Sequence, residues 1–415
     1  MEHLVIEGGR RLEGKVAIDG AKNAALPACV ASLLTDEPLI LHHIPDLRDV
    51  TTVLATVSSL GKRVIPRGET VEIARERPLV EKPEARYVEQ MRASFLVLGP
   101  LLARLGRAIV PLPGGCTIGR RPVDFHLQGL QAMGARVEEA TDAVSLRAEK
   151  IRGAEIELPY PSVGATEHLI MTAALAEGET RIKNPAREPE VMDLIELLRK
   201  MGAEIEVETH AIRVAGKDRL RGAEHTIIPD RLEAGTYLLA GAITGGDVAV
   251  HRVVPEHLRA FLDVLREAGL SFSAGDDWVR LSGASRPGPV RVVTAPYPGF
   301  PTDLQPPLVA TLSLGRGESR IDEKVFDRRF DYVPSLNRMG ARIEIRGDTL
   351  EIRGVAALTG TTVAAPDIRA GAALVLAGLA ARGRTTVYQM EKIERGYSAM
   401  DEKLRVLGGQ VERSA

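Results

Sequence analysis

The stretch Met201-Gly202-Ala203-Glu204-Ile205-Glu206-Val207 is followed by the polar pair Thr209-His210 and then by Ala211-Ile212-Arg213-Val214. A glycine at the second position is typical of the residue that ends a helix. The two segments after it alternate apolar and polar side chains around a polar turn, which predicts a β-hairpin. The stretch therefore predicts the end of a helix followed by two antiparallel strands.

This helix-ending phrase recurs along the chain at intervals of about 70 residues, which indicates a repeated structural unit. Its copies are Leu60-Gly61, Met133-Gly134-Ala135, Met201-Gly202-Ala203, Ala268-Gly269, Met339-Gly340-Ala341 and Leu407-Gly408-Gly409. An amphipathic helix precedes the phrase, as in residues 191–198, and a helix that is apolar on nearly all faces lies further upstream, as in residues 170–176 and 372–379. A helix of the second kind is expected to be buried.

The complete unit therefore reads helix–strand–helix–strand–strand, repeated roughly six times. Six units exceed one ordinary core, so the pattern predicts an α/β protein with two similar domains of three units each. The terminal strands can pair within one domain, which would make that domain discontinuous.

Composition narrows the possible functions. The 415 residues are 44% hydrophobic and carry a net charge of −2, so no global positive field favours nucleic acid. Two cysteines cannot form a disulfide framework, which is typical of a reducing cytosol. From the sequence we expect neither a signal peptide nor a membrane-spanning segment. The nine histidines lack metal-ligand spacing, so we expect no metal, and we also expect no cofactor.

Cys116 lies in a loop rich in proline and glycine, between Pro111 and Asp124, and Arg120 and Arg121 follow it closely. Guanidinium charge and free backbone N–H groups favour a thiolate and bind anions. A packing cysteine near a turn is the alternative, and local features alone do not separate the two. Cys29, within an apolar run, is expected to be the packing cysteine.

Polar residues recur where helices are predicted to begin. Lys22 and Asn23 open the first buried helix, Ser162 opens the third unit, and Asp303 follows a proline-rich turn. Each has a simpler interpretation, as a solvated lysine or as a helix cap.

Arginine recurs at similar positions. Arg92, Arg369 and Arg395 are predicted at helix starts, where the helix dipole disfavours a cation. Repeated cations at such positions indicate a bound anion.

The segment Gly9–Lys15 nearly matches a phosphate-binding loop of the Walker type. Val16 replaces the required serine or threonine, and a strand is predicted where a helix is needed. We therefore interpret this segment as a hairpin turn.

Taken in order, the sequence motifs of this chain resemble those of the UDP-N-acetylglucosamine 1-carboxyvinyltransferases, a family of enolpyruvyl transferases. The resemblance extends over the whole chain. The resemblance is carried by Gly20–Ala25, Met91–Ser94, Gly114–Gly119, Arg121–Asp124, Ser162–Thr166, Arg187–Glu190, Phe300–Asp303 and Glu394–Tyr397. It implies the inside-out α/β barrel of the enolpyruvyl transferases, with one domain at 21–229, a second formed by 1–20 and 230–415, and an active site in the cleft between them.

The resemblance implies transfer of enolpyruvyl from phosphoenolpyruvate to the 3′-hydroxyl of UDP-N-acetylglucosamine, with release of phosphate. By resemblance Cys116 is the general acid and forms a phospholactoyl adduct, Asp303 is the base, and Lys22, Arg121 and Arg395 hold the phosphate and carboxylate. The implied substrate-binding residues are Lys22, Asn23, Arg92, Arg121, Pro122, Val123, Asp124, Phe125, Ser162, Val163, Gly164, Asp303, Val325, Arg369 and Arg395.

The family context implies a cytoplasmic enzyme of peptidoglycan precursor synthesis that the antibiotic fosfomycin inactivates. Two positions depart from the family pattern, because Tyr160 stands where many relatives carry lysine and Lys392 where histidine is common. Two alternatives stay open: a 5-enolpyruvylshikimate-3-phosphate synthase, which shares the fold but not the Cys116 loop, and a non-catalytic paralogue that binds UDP-sugar.

Overall fold

The computed structural model describes residues 2–88, 91–111, 123–138, 143–283, 285–327 and 329–414, and for Arg92 the backbone alone. These residues form two compact units. One contains residues 2–19 and 229–414, and the other lies within residues 20–228. None of the helices in these ranges is both long enough and apolar enough to cross a bilayer.

Two strands come first, β1 (His3–Glu7) and β2 (Glu13–Ala17). The elements of the unit within residues 20–228 follow in chain order: α1 (Lys22–Ala31), a 3-10 helix (Ser32–Leu34), β3 (Leu39–His42), α2 (Arg48–Ser59), β4 (Lys62–Arg67), β5 (Thr70–Arg75), α3 (Ala85–Val88), a 3-10 helix (Arg92–Val97), α4 (Leu98–Leu105), β6 (Arg107–Pro111), α5 (Asp124–Ala132), β7 (Arg136–Glu138), β8 (Ala143–Arg147), β9 (Glu155–Glu157), α6 (Val163–Ala173), β10 (Glu179–Lys183), α7 (Pro189–Lys200), β11 (Glu204–Val207), β12 (Ala211–Ala215) and β13 (Ala223–Thr226).

The remaining elements belong to the same unit as β1 and β2. They are α8 (Arg231–Thr244), β14 (Asp247–His251), a 3-10 helix (Pro255–Leu258), α9 (Arg259–Glu267), β15 (Phe272–Ala274), β16 (Trp278–Ser282), β17 (Arg291–Val293), a 3-10 helix (Thr302–Leu304), α10 (Gln305–Leu312), β18 (Glu318–Asp322), α11 (Val333–Arg338), β19 (Arg342–Arg346), β20 (Thr349–Arg353), β21 (Thr362–Ala364), α12 (Ile368–Ala380), β22 (Arg384–Tyr388), α13 (Met390–Ile393), α14 (Met400–Val406) and β23 (Gln410–Ser414).

The repeated glycine ends a helix in every copy of the phrase, as predicted. Each of these glycines has a positive φ, between 72° and 120°, which a residue with a Cβ rarely adopts. After α7, the N–H of Gly202 bonds to the carbonyl of Arg199 at 2.9 Å, and that of Ala203 to Leu198 at 2.9 Å. These bonds satisfy carbonyl groups that the helix end would otherwise leave without a partner.

Buried helices pack together in the middle of each unit. In one unit these are α8, α10 and α12, and in the other α1, α6 and α4 with the 3-10 helix before it. Every residue of α12 from Arg369 to Leu379 is buried. The burial that their apolar sequences predict is thus confirmed for α6 and α12.

The described strands form six sheets, which cover these helices with their apolar faces. Their orders are β13-β3-β5-β4, β6-β8-β7, β11-β12-β10-β9, β15-β16-β14-β2, β17-β18-β20-β19 and β21-β22-β1-β23. The predicted hairpins are present, for example Ile205 opposite Val214 in β11 and β12. Alternating burial along β10 and β18 directs one face of each sheet to the core.

Two features differ from the sequence-based expectation. A short parallel strand is added at the edge of five sheets: β2, β9, β13, β17 and β21. The hairpin predicted around residues 9–15 is wrong, because β1 pairs with β22 and β23 whereas β2 pairs with β14 in another sheet. The segment between β1 and β2 is therefore a connection between sheets.

Candidate functional site

Lys22 is the first residue of α1 and is almost fully buried. Its ammonium Nζ lies 3.2 Å from Oδ2 of Asp49, which is in the first turn of α2. A buried ammonium needs a counter-charge, and Asp49 supplies it. Lys22 is thus a fixed cation at a helix start, where backbone N–H groups also favour an anion, and the half-buried Asn23 follows it.

Ser162, Val163 and Gly164 form the start of α6, as the sequence predicts. Ser162 is the N-cap, and its Oγ accepts a hydrogen bond from the N–H of Ala165 at 3.4 Å. The start of α5, Val123 to Phe125, belongs to a helix that packs on α6. The two helix starts carry six of the predicted substrate-binding residues.

In the other unit, Asp303 lies in the 3-10 helix Thr302–Leu304 and is held by two arginines. Its Oδ1 is 2.8 Å from Nη2 of Arg329, and its Oδ2 accepts a hydrogen bond from Nε of Arg369 at 3.1 Å. Both arginine side chains are 3% exposed, and the Asp303 side chain is 24% exposed. The carboxylate is therefore charge-paired on one side and reaches solvent on the other.

A second carboxylate, that of Glu323, stabilises the pair formed by Asp303 and Arg329 through Thr302. The buried Glu323 accepts hydrogen bonds from the hydroxyls of Thr294 and Thr302, at 2.8 and 2.9 Å, and from the N–H of Val325 at 2.9 Å. Thr302 in turn accepts a bond from Nη1 of Arg329 at 2.8 Å. The side chain of Arg329 thus has its orientation set at both terminal nitrogens.

The side chain of Arg369 is held by Asp303 and by the ring of Tyr397. Burial opposes its charge, but the neighbouring Tyr397 and Asp303 outweigh it and raise the pKa of Arg369 above its ordinary value. Its guanidinium lies over the Tyr397 ring at 5.0 Å, and the Tyr397 hydroxyl is 2.9 Å from that of Thr236.

Two nitrogens of this cationic pair are notable. Nε of Arg329 and Nη1 of Arg369 are buried and have no hydrogen-bond partner among the described residues. Buried donors are normally bonded, and an unsatisfied one costs about 1–3 kcal/mol. Two such donors on buried cations are suited to the oxygens of an anionic ligand.

The structure brings together Asp303 with Arg369, and the start of α5 with α6, but it places Lys22 and Asp303 in different units. Val325 contributes its backbone N–H to Glu323. Cys116, Arg121 and Pro122 lie outside the described residues, as does the side chain of Arg92, whose backbone begins a 3-10 helix.

One predicted position is wrong. Arg395 does not begin a helix, because α13 ends at Ile393 and α14 starts at Met400. Of the two departures from the family pattern, Lys392 donates hydrogen bonds to the carbonyl of Pro366 at 3.1 Å and to Oε1 of Gln389 at 2.9 Å. Its ammonium therefore contributes to the local structure beside α12.

Sequence reasoning missed Arg329, Glu323 and Asp49. Arg329 belongs to a charged loop segment, which in sequence resembles a solvated turn. Asp49 had a usable signal, since it lies in the first turn of the helix that follows β3. Cys29, in contrast, is fully buried as predicted, and burial raises the pKa of its thiol to about 12, so it is not a nucleophile.

Comparisons with known proteins identify the family of this chain. Residues 6–404 match the family model of EPSP synthase (3-phosphoshikimate 1-carboxyvinyltransferase). UDP-N-acetylglucosamine 1-carboxyvinyltransferase 1 of Carboxydothermus hydrogenoformans is 48% identical over 100% of this chain and 98% of its own. The corresponding protein of Gloeobacter violaceus is 47% identical over 99% of this chain and 90% of its own.

Solved structures give the same result for the fold. The enolpyruvyl transferase NikO from Streptomyces tendae superposes with a TM-score of 0.90 at 26% identity, covering 100% of this chain and 99% of that one. EPSP synthase from Acinetobacter baumannii superposes with a TM-score of 0.79 at 18% identity over 100% of both chains, which shows the fold alone. The enolpyruvyl transferase fold that the resemblance implied is confirmed. The chain belongs to the EPSP synthase family and, within it, to the UDP-N-acetylglucosamine 1-carboxyvinyltransferases.

Proposed function

We propose that this chain transfers the enolpyruvyl group of phosphoenolpyruvate to the 3′-hydroxyl of UDP-N-acetylglucosamine and releases phosphate, the step that commits the sugar nucleotide to peptidoglycan synthesis. The observation that carries the proposal is the sequence identity of 48%, over the full length of the chain, to a UDP-N-acetylglucosamine 1-carboxyvinyltransferase. The carboxylate and cations around Asp303 support it, because the reaction needs a base beside sites for anions.

Asp303 is the proposed base for the sugar hydroxyl. Its Oδ2 accepts a hydrogen bond from Nε of Arg369, its Oδ1 forms an ion pair with Arg329, and each carboxylate oxygen has two lone pairs. The exposed side of the carboxylate can therefore take a proton while the two arginines hold its orientation. A base with a fixed orientation is what general-base catalysis requires.

Arg329 and Arg369 are proposed to bind an anionic group of the substrates through the two unsatisfied nitrogens described above. Fixed cations around a developing negative charge lower the barrier, because no reorganisation is needed when the charge forms. Lys22, Arg121 and Arg395 complete the proposed set of phosphate and carboxylate ligands, on the strength of the matching motifs.

Cys116 is the proposed acid that protonates the methylene carbon C3 of phosphoenolpyruvate, and the proposed site of a phospholactoyl adduct. Asn23, Arg92, Pro122 to Phe125, Ser162 to Gly164 and Val325 are the proposed contacts of the UDP-sugar.

The decisive experiment is phosphate release by the purified chain in the presence of phosphoenolpyruvate and UDP-N-acetylglucosamine. Shikimate 3-phosphate as the acceptor is the comparison, because the matching family model carries the name of the shikimate enzyme. Release that depends on UDP-N-acetylglucosamine, together with a product heavier by one enolpyruvyl group, supports the proposal. Release only with shikimate 3-phosphate would assign the other activity, and binding of UDP-sugar without release would indicate a non-catalytic paralogue.

A further inference from the structure

Tyr397 lies beside Arg369 in the interior of the unit that contains Asp303. Tyr397 is 1% exposed, and the guanidinium carbon of Arg369 is 5.0 Å from the centroid of its ring. The Tyr397 hydroxyl is 2.9 Å from Oγ1 of Thr236, a fully buried residue on α8. A buried phenol thus connects the cation next to the proposed base with one of the core helices.

The direction of the hydrogen bond between Tyr397 and Thr236 follows from a third group. Oγ1 of Thr236 lies 2.8 Å from the carbonyl oxygen of Leu232, one turn earlier on α8. A carbonyl oxygen only accepts, so the single hydrogen of the Thr236 hydroxyl is used there. Tyr397 must therefore donate to Thr236, and its oxygen has only lone pairs left for a further partner.

Arg369 is that further partner. Burial raises the pKa of Tyr397 above its ordinary value, although the charge of Arg369 and hydrogen bonds with Thr236 and Arg369 oppose the rise, so the hydroxyl keeps its hydrogen near neutral pH. A guanidinium has only donors, and they match the lone pairs of the Tyr397 oxygen. Hydrogen bonds therefore run in one direction, from Arg369 through Tyr397 and Thr236 to the backbone of α8. At its other edge, Arg369 donates from Nε to Oδ2 of Asp303 at 3.1 Å.

The backbone keeps Tyr397 close to Arg369. Tyr397 belongs to the segment between α13 and α14, and its N–H bonds to the carbonyl of Ile393 at 3.1 Å. The preceding Gly396 packs on the start of α12, where a Cβ would lie 2.5 Å from Cγ2 of Ile368 and 3.7 Å from Nη1 of Arg369. A segment packed this tightly gives the phenol one position relative to the guanidinium.

We propose that Tyr397 and Thr236 are positioning residues for the transfer reaction. Their hydrogen bonds orient the guanidinium of Arg369 and, through its bond to Oδ2, the carboxylate of Asp303. General-base catalysis depends on this orientation, because a small misplacement of a catalytic group is costly in rate. The inference rests on the proposed function for the role of Asp303 as the base, whereas the chain of hydrogen bonds is independent of it.

The first test removes the hydroxyl group of Tyr397 and retains its ring. Tyr397→Phe should lower kcat by about 10- to 100-fold, the range for a hydrogen bond to a charged group and for a misplaced catalytic group. The KM for UDP-N-acetylglucosamine should change by less than about threefold, because the lost orientation matters in the transition state. A tyrosine that only fills the core would leave kcat of the folded variant at the wild-type value.

The second test changes the acceptor of the Tyr397 hydrogen. Thr236→Val has nearly the same shape but no oxygen, so that hydrogen loses its acceptor and kcat should fall about as far as in Tyr397→Phe. Thr236→Ser restores the oxygen and should recover most of the loss. Thr311→Val is the matched control, and its kcat should stay at the wild-type value. Thr311 is also fully buried on a core helix of this unit, and it also donates to a carbonyl four residues earlier, that of Pro307 at 3.0 Å.

The third test observes Arg369 itself and needs no activity. In ¹⁵N spectra of the full chain labelled at arginine, the Nε–H of Arg369 is identified by its loss in Arg369→Lys. Exchange of this hydrogen with water should be slow in the wild type and in Thr236→Ser. It should be about tenfold or more faster in Tyr397→Phe and Thr236→Val, because the bond to Asp303 then opens more often.

Wild-type kcat in the folded Tyr397→Phe and Thr236→Val variants would overturn the inference, and so would an exchange rate of the Arg369 Nε–H that neither substitution changes. A comparable loss of kcat in Thr311→Val would show a general effect of packing and would also overturn it. The exchange measurement separates these failures from failure of the proposed function. If the chain transfers no enolpyruvyl group but both substitutions accelerate exchange, the positioning of Arg369 stands and only the reaction assigned to Asp303 is wrong.

Discussion

Asp303→Asn should reduce both the rate and the stability of this protein, for separable reasons. The amide cannot accept the proton of the sugar hydroxyl, so turnover should fall by about a hundredfold or more. It also removes the counter-charge from Arg329 and Arg369, which lie 2.8 and 3.1 Å away and are 3% exposed. Loss of one member of a buried ion pair costs about 3–5 kcal/mol. Because Asp303 is 24% exposed, we expect the lower end of that range.

A second substitution separates these effects. Replacing Arg329 with leucine in the Asp303→Asn background removes one uncompensated cation, so part of the lost stability should return, whereas the rate should not. Denaturant unfolding measures the first quantity and phosphate release the second. Asp247→Asn is the control, because Asp247 pairs with Arg280 through two bonds of 2.7 Å on an exposed strand and should affect neither quantity.

Two results would refute the reasoning. If Asp303→Asn turns over within about threefold of wild type, Asp303 is not the base, since losing one costs far more. If the free energy of unfolding of this variant equals that of wild type, Arg329 and Arg369 do not depend on Asp303 for charge compensation. The stabilisation expected from the two ion pairs is then wrong.

Three further predictions concern other parts of the chain. Cys116→Ala should abolish turnover while UDP-sugar binding survives, and Cys116→Asp should retain activity, because a carboxyl group can also deliver a proton. In intact-mass spectra, fosfomycin should add to Cys116 and leave the buried Cys29 unmodified. Burial and the nearby Glu190 and Glu188 raise the pKa of Glu167 well above 4.5. Above pH 4.5 the folded chain therefore keeps a proton on Glu167 that the unfolded chain releases. The free energy of unfolding should then fall as pH rises from 4.5 towards the folded pKa, by up to about 1.4 kcal/mol per pH unit. Glu167→Gln should remove that slope in denaturant titrations at several pH values, and an unchanged slope would exclude Glu167 as its source. Gly202→Ala should lower the free energy of unfolding by about 1–2 kcal/mol, because φ is +98° and the nearest side-chain atom, at 3.6 Å, leaves room for a methyl group; no loss would show that the helix end can relax.

The fold was largely predictable because its information is local. Glycine after each amphipathic helix, alternating strands and all-apolar helices are patterns within a few residues, and each was found where the sequence placed it. Four of the parallel edge strands, β9, β13, β17 and β21, were not predicted, because they are three or four residues long and depend on a neighbouring sheet. The hairpin expected near Gly9 failed for the same reason, since β1 and β2 find their partners far along the chain.

The candidate site was predictable only where helix starts reveal it. Lys22 and Ser162 stand at such starts, and Asp303 follows a proline-rich turn. Arg329 could not be connected with Asp303 from the sequence, because the fold alone brings a loop arginine back onto the carboxylate. His126 on α5 and His168 on α6 are 42 residues apart in the sequence, and the contact of their imidazoles at 2.9 Å likewise depends on the packing of two helices.

The position of β1 has a consequence for synthesis of the protein. This strand lies between β22 and β23, with Leu4 opposite Val387 on one side and Arg413 on the other. At about 5–20 residues per second, a ribosome reaches those partners roughly 20–75 s after β1 emerges. During that interval β1 has neither neighbour, whereas the unit within residues 20–228 already has all its strands. Translation should therefore yield that unit first, and the apolar strand at 3–7 should be a site where chaperones engage the nascent chain.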